Sequence, residues 1–184
     1  MSMAMLERQW TVADLANLPD DGNRYEVIDG ELLVTPAPAL PHQAAVGELY
    51  LLIAPYVTAQ KLGYTFVAPA DVIFSPRRGV QPDVLVTPPV DGRRPKKVDR
   101  LLLAVEVLSP STARADRVTK RGLFREEGVP EYWIVDLDAR MIERSTPTEP
   151  RPEILSERLV WMPDSAVPPL EIDLVAYFER VLDV

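Results

Sequence analysis

The sequence contains no cysteine, which excludes disulfide bonds, thiolate zinc sites and a cysteine nucleophile. Histidine occurs once, so a serine–histidine–aspartate triad would have to be built around His42. No apolar run approaches the ~18 residues of a membrane span, and no N-terminal segment joins basic residues to an apolar stretch. These absences predict a cytoplasmic protein without a membrane segment.

What is present is ordinary for a globular protein. The chain has 184 residues, of which 47% are hydrophobic, and this predicts one domain over residues 1–184. Residues 1–22 are expected to form an N-terminal arm and a short helix, with Thr11 as its N-cap.

The net charge of −8 is distributed unevenly. The segment from Arg77 to Arg125 holds twelve Lys and Arg against five acids and so carries +7, whereas the remainder carries −15. A local positive field suits an anionic polymer such as nucleic acid. The alternative interpretation of this charge distribution is a solvated surface on which charges are unevenly distributed.

The apolar patterns predict strands and helices in alternation. Asp29-Gly30 between two short apolar runs indicates a β-hairpin. Pro55 should kink or end a helix that begins at His42. Further strands are predicted at 64–74, 80–87, 101–108, 131–136, 141–144 and 154–161, and further helices at 113–127 and 174–182. This order predicts an α/β fold, a mixed β-sheet flanked by helices, with an N-terminal β-hairpin.

One acid, Glu106, interrupts the apolar run Leu101–Leu108, which is typical of a strand buried on both faces. A buried carboxylate must be protonated, paired with a cation or bound to a metal. Asp83 occupies a second apolar strand, Gln81–Val86. Two carboxylates on neighbouring strands can hold Mg²⁺ or Mn²⁺, which prefers oxygen ligands. Pairing of Glu106 with a basic residue, or partial exposure of its strand, is the alternative.

Lys120 is the candidate amine. On a helix that follows the Glu106 strand, it shares a face with Asp116 and Phe124 and can return over the carboxylates. A lysine there can orient or deprotonate a metal-bound water, or stabilise charge on the attacked phosphorus. A surface ion pair with Asp116 is the alternative interpretation.

Four further residues are accessory candidates. Glu26 and Glu31 in the hairpin could bind the metal or hold the lysine, or be solvated. His42 could contact a phosphate or the metal's water, or cap its helix. Ser109 could donate to a carboxylate or backbone, or form a turn. The aromatic pair Tyr132 and Trp133 is expected in the core.

Several motifs together resemble the Uma-two family of the restriction-endonuclease-like, PD-(D/E)XK group. The resemblance spans about Trp10 to Phe178. It rests on Tyr25-Glu26-Val27-Ile28-Asp29-Gly30-Glu31-Leu32, Pro82-Asp83, Glu106-Val107-Leu108-Ser109-Pro110-Ser111-Thr112, Asp116 with Lys120, and Gly128-Val129-Pro130-Glu131-Tyr132-Trp133-Ile134-Val135-Asp136.

The resemblance implies a restriction-endonuclease-like core and metal-dependent cleavage of phosphodiester bonds. It implies that Asp83, Glu106 and the backbone carbonyl of Val107 bind the metal. The superfamily places its lysine two residues after the acid, where this chain has Leu108, so Lys120 would supply the amine. Phe124 stands where such proteins often have tyrosine, so no phenolic hydroxyl is available there.

The sequence thus predicts a DNA endonuclease that uses Mg²⁺ or Mn²⁺. Because one such site cuts one strand, cleavage of both strands would need a homodimer or two encounters. Two alternatives stay open: a binding or regulatory module that keeps the fold without cutting, and hydrolysis of a smaller anionic substrate.

Overall fold

A computed structural model describes residues 9–89 and 97–183, so Arg93, Arg94 and Lys96 of the basic segment lie outside the described residues. In chain order the elements are α1 (Val12–Leu15), β1 (Arg24–Ile28), β2 (Glu31–Thr35), α2 (Leu40–Ala59), β3 (Tyr64–Val67), β4 (Val72–Ser75), β5 (Arg78–Val80), β6 (Val84–Thr87), β7 (Leu103–Val107), a π-helix (Ala115–Lys120), α3 (Arg121–Glu126), β8 (Glu131–Asp136), β9 (Met141–Ser145), β10 (Glu153–Leu155), β11 (Arg158–Trp161), β12 (Leu170–Asp173) and α4 (Leu174–Leu182). None of these helices is long and apolar enough to cross a bilayer.

The strands form a mixed six-stranded sheet, a four-stranded sheet and a two-stranded sheet. The large sheet has the order β10-β9-β8-β7-β6-β3, in which only β7 and β8 run parallel. The small antiparallel sheet has the order β2-β1-β5-β4. The predicted hairpin is confirmed: Asp29 and Gly30 have φ of +53° and +89°, as the turn requires.

Three predicted strands are each divided between two sheets. The stretch 154–161 forms β10 of the large sheet and β11 of the two-stranded sheet. The stretch 64–74 forms β3 and β4, and the stretch 80–87 contains the end of β5 and the whole of β6, so both are divided between the large and the small sheet. Each of these last two breaks contains a proline, Pro69 or Pro82, which has no amide hydrogen to donate to a strand ladder. The break at Gln81–Asp83 carries one of the two predicted acids.

Pro55 is expected from the sequence to kink or end its helix, and the helix does not end there. α2 continues to Ala59, four residues beyond the proline. Ile53 and Val57 on either side are fully buried against the large sheet, while Pro55 itself is exposed. Tertiary packing of that apolar face outweighs the local loss of one hydrogen bond.

Apolar side chains cover both faces of the large sheet. On one face Val84, Val105 and Trp133 pack against α2 and α4. On the other face Leu85 and Ala104 belong to a second cluster, which also includes residues of α3 and the small sheet. Both predicted core aromatics, Tyr132 and Trp133, are buried.

Candidate active site

Asp83 and Glu106 point to the same face of the large sheet. β6 and β7 are antiparallel with Val84 opposite Val105, so the register brings Asp83 beside Glu106. Side chains alternate between the two faces of a sheet along each strand. Asp83 lies two residues from Leu85, and Glu106 lies two residues from Ala104, so both acids are on the face of the second core cluster. The exposed fractions of the two acids are only 2% and 3%.

Asp83 is held by three groups from three different elements. Arg24 Nη1 donates to its Oδ1 at 2.9 Å, and the Val107 N–H donates to its Oδ2 at 2.9 Å. His42 Nε2 lies 3.1 Å from the same Oδ2. Burial alone would raise the pKa of Asp83, but the contacts of His42, Arg24 and Val107 lower it to about 2.

Lys120 lies among three buried carboxylates. Its Nζ is 2.8 Å from Glu106 Oε1, 2.8 Å from Glu26 Oε2 and 3.6 Å from Asp116 Oδ1. The lysine is 3% exposed, so the surface ion pair considered from the sequence does not describe it.

The π-helix places Lys120 and Asp116 on the inner side. The predicted helix over 113–127 contains this π-helix, which α3 continues. Tyr132 stabilises it from the sheet, because its hydroxyl donates to the Asp116 carbonyl at 3.2 Å. π-Helical turns are rare and are frequently found at functional sites.

The charges around Lys120 are unbalanced, because one ammonium faces three carboxylates. Burial disfavours the charged lysine, but Glu106, Glu26 and Asp116 outweigh this and raise its pKa. Burial raises the pKa of Glu106 and of Asp116; Lys120 opposes both shifts, and neighbouring carboxylates add to them. The lysine therefore stays protonated. Its single positive charge compensates only part of the negative charge that Glu106 and Asp116 carry when ionised.

Two side chains of β1 form hydrogen bonds to the segment that carries Asp83. Glu26 Oε1 accepts from the Gln81 N–H at 2.7 Å, and Arg24 Nη1 donates to the Gln81 carbonyl at 2.9 Å. Alternate residues of a strand share a face, so Arg24 and Glu26 reach the same segment together. The small sheet thus fixes both Asp83 and Lys120. Sequence reasoning missed Arg24, although its spacing of two from Glu26 was the available signal.

These residues surround a cavity of about 640 Å³. Its lining includes Asp83, Glu106 and Lys120 together with Val107 and His42. The first turn of α2 and the turn after β7 border it as well. A cavity of this size lies within the usual range for ligand sites, roughly 300–1,000 Å³.

The remaining predicted site residues, Ser109, Glu31 and Val107, differ in how they relate to the cavity. Ser109 lines the cavity, but its hydroxyl lies 3.0 Å from the hydroxyls of Ser111 and Thr112, which builds the turn. Glu31 is exposed at the hairpin, and the structure does not bring it into the cavity lining. The metal-binding role of the Val107 carbonyl stays a prediction.

Leu108 and Phe124 occupy the two positions that depart from the superfamily pattern. Leu108 borders the cavity and packs against the second core cluster. Phe124 is buried, with its ring centroid 4.7 Å from that of Tyr132 and 6.3 Å from that of Phe74. Phe124 therefore packs α3 against β4 and β8.

The basic segment is less free than its charge suggests. Arg78 contacts Asp29, Glu126 and Glu127, each at 2.6 Å. Arg117 and Arg121 each contact Glu143 at 2.6 Å. Acids outside the segment neutralise much of its field among the described residues.

Within the described residues no group of three or more histidine, aspartate or glutamate side chains forms a ready-made metal site. The two carboxylates Asp83 and Glu106 still suit a hard cation, since Mg²⁺ commonly takes one or two carboxylates and completes its shell with water and phosphate. The Lys120 contact uses Oε1 of Glu106, and the oxygens of Asp83 retain accepting capacity.

Comparison with known proteins places the chain in a family. A crystal structure from Anabaena variabilis ATCC 29413, described as "a putative nuclease belonging to DUF820", matches with a TM-score of 0.76 and 19% identity, over 94% of this chain and 99% of that chain. This likeness shows the fold, which is restriction-endonuclease-like. No curated protein is detectably similar in sequence. A family model described as "Putative restriction endonuclease" matches residues 12–175, and the chain therefore belongs to the Uma2 family.

Proposed function

We propose that this protein is an endonuclease that hydrolyses phosphodiester bonds of DNA with Mg²⁺ or Mn²⁺. Membership of a family described as "Putative restriction endonuclease", and the same fold in a protein described as "a putative nuclease", support nuclease activity. One observation carries the metal-dependent form of the proposal. Two buried carboxylates, Asp83 and Glu106, share one wall of a cavity, and a buried ammonium lies 2.8 Å from one of them.

The charge balance of the site favours a divalent cation. Four buried carboxylates, Glu26, Asp83, Glu106 and Asp116, face the cations of Arg24 and Lys120. Counted over these four carboxylates and two cations, all ionised, the formal charge is −2. Uncompensated charge is costly to bury, and one Mg²⁺ or Mn²⁺ would neutralise it.

In this proposal Asp83 and Glu106 hold the metal, joined by the Val107 carbonyl. The metal supplies the Lewis-acid chemistry that lowers the pKa of an attacking water and offsets charge on a phosphate oxygen. Lys120 stays protonated because its pKa is raised, so it acts as a positive charge that orients water and stabilises the developing negative charge. Removal of a proton by this lysine is disfavoured.

We propose DNA as substrate and the cytoplasm as location. A single site cuts one strand, so double-strand cleavage would use a homodimer or two successive encounters.

A catalytically inactive binding module is the second candidate. One observation favours it: Asp83 already accepts bonds from Arg24 and Val107 and contacts His42, which compete with a metal. Such a module would bind nucleic acid without cutting it.

A nicking assay separates the two. The wild-type protein with Mn²⁺ is expected to convert supercoiled plasmid to open circles, and EDTA to stop it. Asp83→Asn and Glu106→Gln preserve side-chain shape, so each should abolish nicking while circular dichroism stays unchanged. Asp20→Asn, at an exposed site, is the control. Equal nicking by all four proteins would contradict the proposal, and binding without nicking by the wild type would favour the inactive module.

A further inference from the structure

A second, smaller cavity of about 280 Å³ adjoins the candidate active site. The two cavities share six lining residues: Arg24, Pro36, Ala37, Pro38, His42 and Asp83. The Arg24–Asp83–His42 contact therefore lies where the cavities meet. This volume lies just below the usual range for ligand sites, so the cavity can hold one small group of a ligand but not a duplex.

The two cavities differ in charge. Asp136, Asp138, Asp116 and Glu106 add negative charge to the larger cavity, whereas Asp83 is the one acid among the residues that line the smaller cavity. The smaller lining instead contains the amides of Asn23, Gln43 and Gln81 beside its two bases. Amides can donate to and accept from base edges, and Arg24 supplies a fixed positive charge.

Among the described residues, Arg24 has donors without a hydrogen-bond partner at this junction. Its bonds to Gln81 and Asp83 use Nη1, and its guanidinium carries five N–H donors in a planar fork. The side chain is 17% exposed, so it is accessible from the cavities while remaining positioned by β1. Fork geometry suits two oxygens of one phosphate.

His42 adds a second unused polar atom. Its Nε2 contacts Asp83, while its Nδ1 is buried and has no hydrogen-bond partner among the described residues. A buried polar atom without a partner is uncommon and calls for a ligand or water.

From these observations we propose that Arg24 and His42 form a phosphodiester-binding subsite beside the catalytic carboxylates, with the flanking nucleotide of a single strand in the smaller cavity. The subsite deepens the proposed function and rests on it. Arg24 touches the phosphate, and the amides of the smaller cavity contact the adjoining nucleotide.

Salt-dependent binding of a labelled single-stranded oligonucleotide in Ca²⁺ tests this subsite. Each phosphate contact on a single strand contributes about 0.7 to the slope of log K against log salt. Arg24→Gln should reduce the magnitude of that slope by about 0.7. Arg24→Lys keeps the charge and should keep the slope. Arg158→Gln removes an arginine that lines neither cavity and is the matched control.

A second variant leaves the Arg24–Asp83 contact intact. Gln43 is exposed at the smaller cavity, so Gln43→Glu should fold normally and repel a phosphate there. We expect about tenfold weaker oligonucleotide binding than for Gln60→Glu, which places the same acid at the far end of α2. Equal affinities for these two variants would overturn the subsite, as would an unchanged slope for Arg24→Gln.

Calorimetry with Mn²⁺ alone separates this proposal from the proposed function. Arg24→Gln should bind Mn²⁺ at least as tightly as the wild type, because a cation 2.9 Å from Asp83 no longer competes. Weaker Mn²⁺ binding with an unchanged salt slope would mean that Arg24 only positions Asp83, which overturns the subsite. A wild-type protein that binds no Mn²⁺ would contradict the metal mechanism itself.

Discussion

At the scale of single residues, the two acids of the site have the same burial and opposite electrostatics. Asp83 receives a guanidinium, an imidazole and a backbone N–H, which keep its pKa low despite burial. Glu106 shares one ammonium with two other carboxylates, and burial raises its pKa. Asp83 therefore stays ionised at neutral pH, whereas Glu106 gains most from an added cation.

The low pKa of Asp83 predicts a defined loss of stability in acid. The folded-state pKa of about 2 lies below the ordinary value of 3.8, so the stabilisation is complete above about pH 4 and is lost as the pH falls through about 2. The shift corresponds to about 2 kcal/mol. Urea unfolding in EDTA should show this loss in the wild type and a flatter pH profile in Asp83→Asn.

The exposed Asp20→Asn variant is the control for this profile and should follow the wild type. Identical slopes for Asp83→Asn and the wild type between about pH 4 and 2 would contradict the assigned environment of Asp83.

Replacement of Lys120 by methionine should destabilise the protein in a pH-dependent way. Loss of the ammonium leaves Glu26, Glu106 and Asp116 buried without a cation, at a cost of about 3 kcal/mol near pH 8. Glu106 and Asp116 have raised pKa values in the folded state, so protonation favours folding as the pH falls. The deficit measured by urea unfolding should be smaller at pH 5.

Lys97→Met removes an exposed lysine and controls for the loss of charge. A deficit of the same size at both pH values would show that Lys120→Met acts through packing and not through the carboxylates.

At the scale of elements, the break between β5 and β6 and the π-helix create the site. The break exposes the Gln81 backbone to Arg24 and Glu26, and the π-helix returns Lys120 to the sheet. The sequence predicts that a helix follows β7. It does not reveal the π-helical turn, because this wider hydrogen-bond pattern depends on tertiary contacts such as that of Tyr132 with the Asp116 carbonyl.

Two glycines give a matched test of how the elements pack. Gly63 has φ of +153°, and a Cβ there would lie 2.0 Å from the Thr87 carbonyl oxygen at the end of β6. Gly47 lies inside α2, and a Cβ there would meet nothing within 4 Å. Thermal unfolding should show Gly63→Ala destabilised by about 2 kcal/mol and Gly47→Ala stabilised by about 0.5–1 kcal/mol. Equal effects of the same sign would contradict the β3–β6 packing.

At the scale of the whole molecule, sequence pattern predicts much of the architecture. The period-two and apolar runs identify the hairpin and the buried strand with Glu106, and the motif order identifies the family. The division of strands between two sheets is not predictable from local pattern, since it depends on which distant strand each segment joins. The spacing of Arg24 from Glu26 indicates that the two share a strand face, but the Gln81–Asp83 segment that this face contacts is identified only in the folded structure.

One active site per chain predicts the order of plasmid products. Nicked circles should accumulate before linear DNA, and the yield of linear DNA should rise more steeply than linearly with protein concentration if two copies act together. Agarose gels over a dilution series measure this. Linear DNA formed directly, without a nicked intermediate, at concentrations where the protein is monomeric would contradict this expectation.

The most direct test of the central claim is a crystal soaked in Mn²⁺ and read for anomalous density. We expect one peak between Asp83 and Glu106, within roughly 2.0–2.2 Å of an oxygen of each carboxylate, and loss of that peak in Asp83→Asn. A soaked crystal with no peak at these two side chains, or with Mn²⁺ bound elsewhere only, would contradict it.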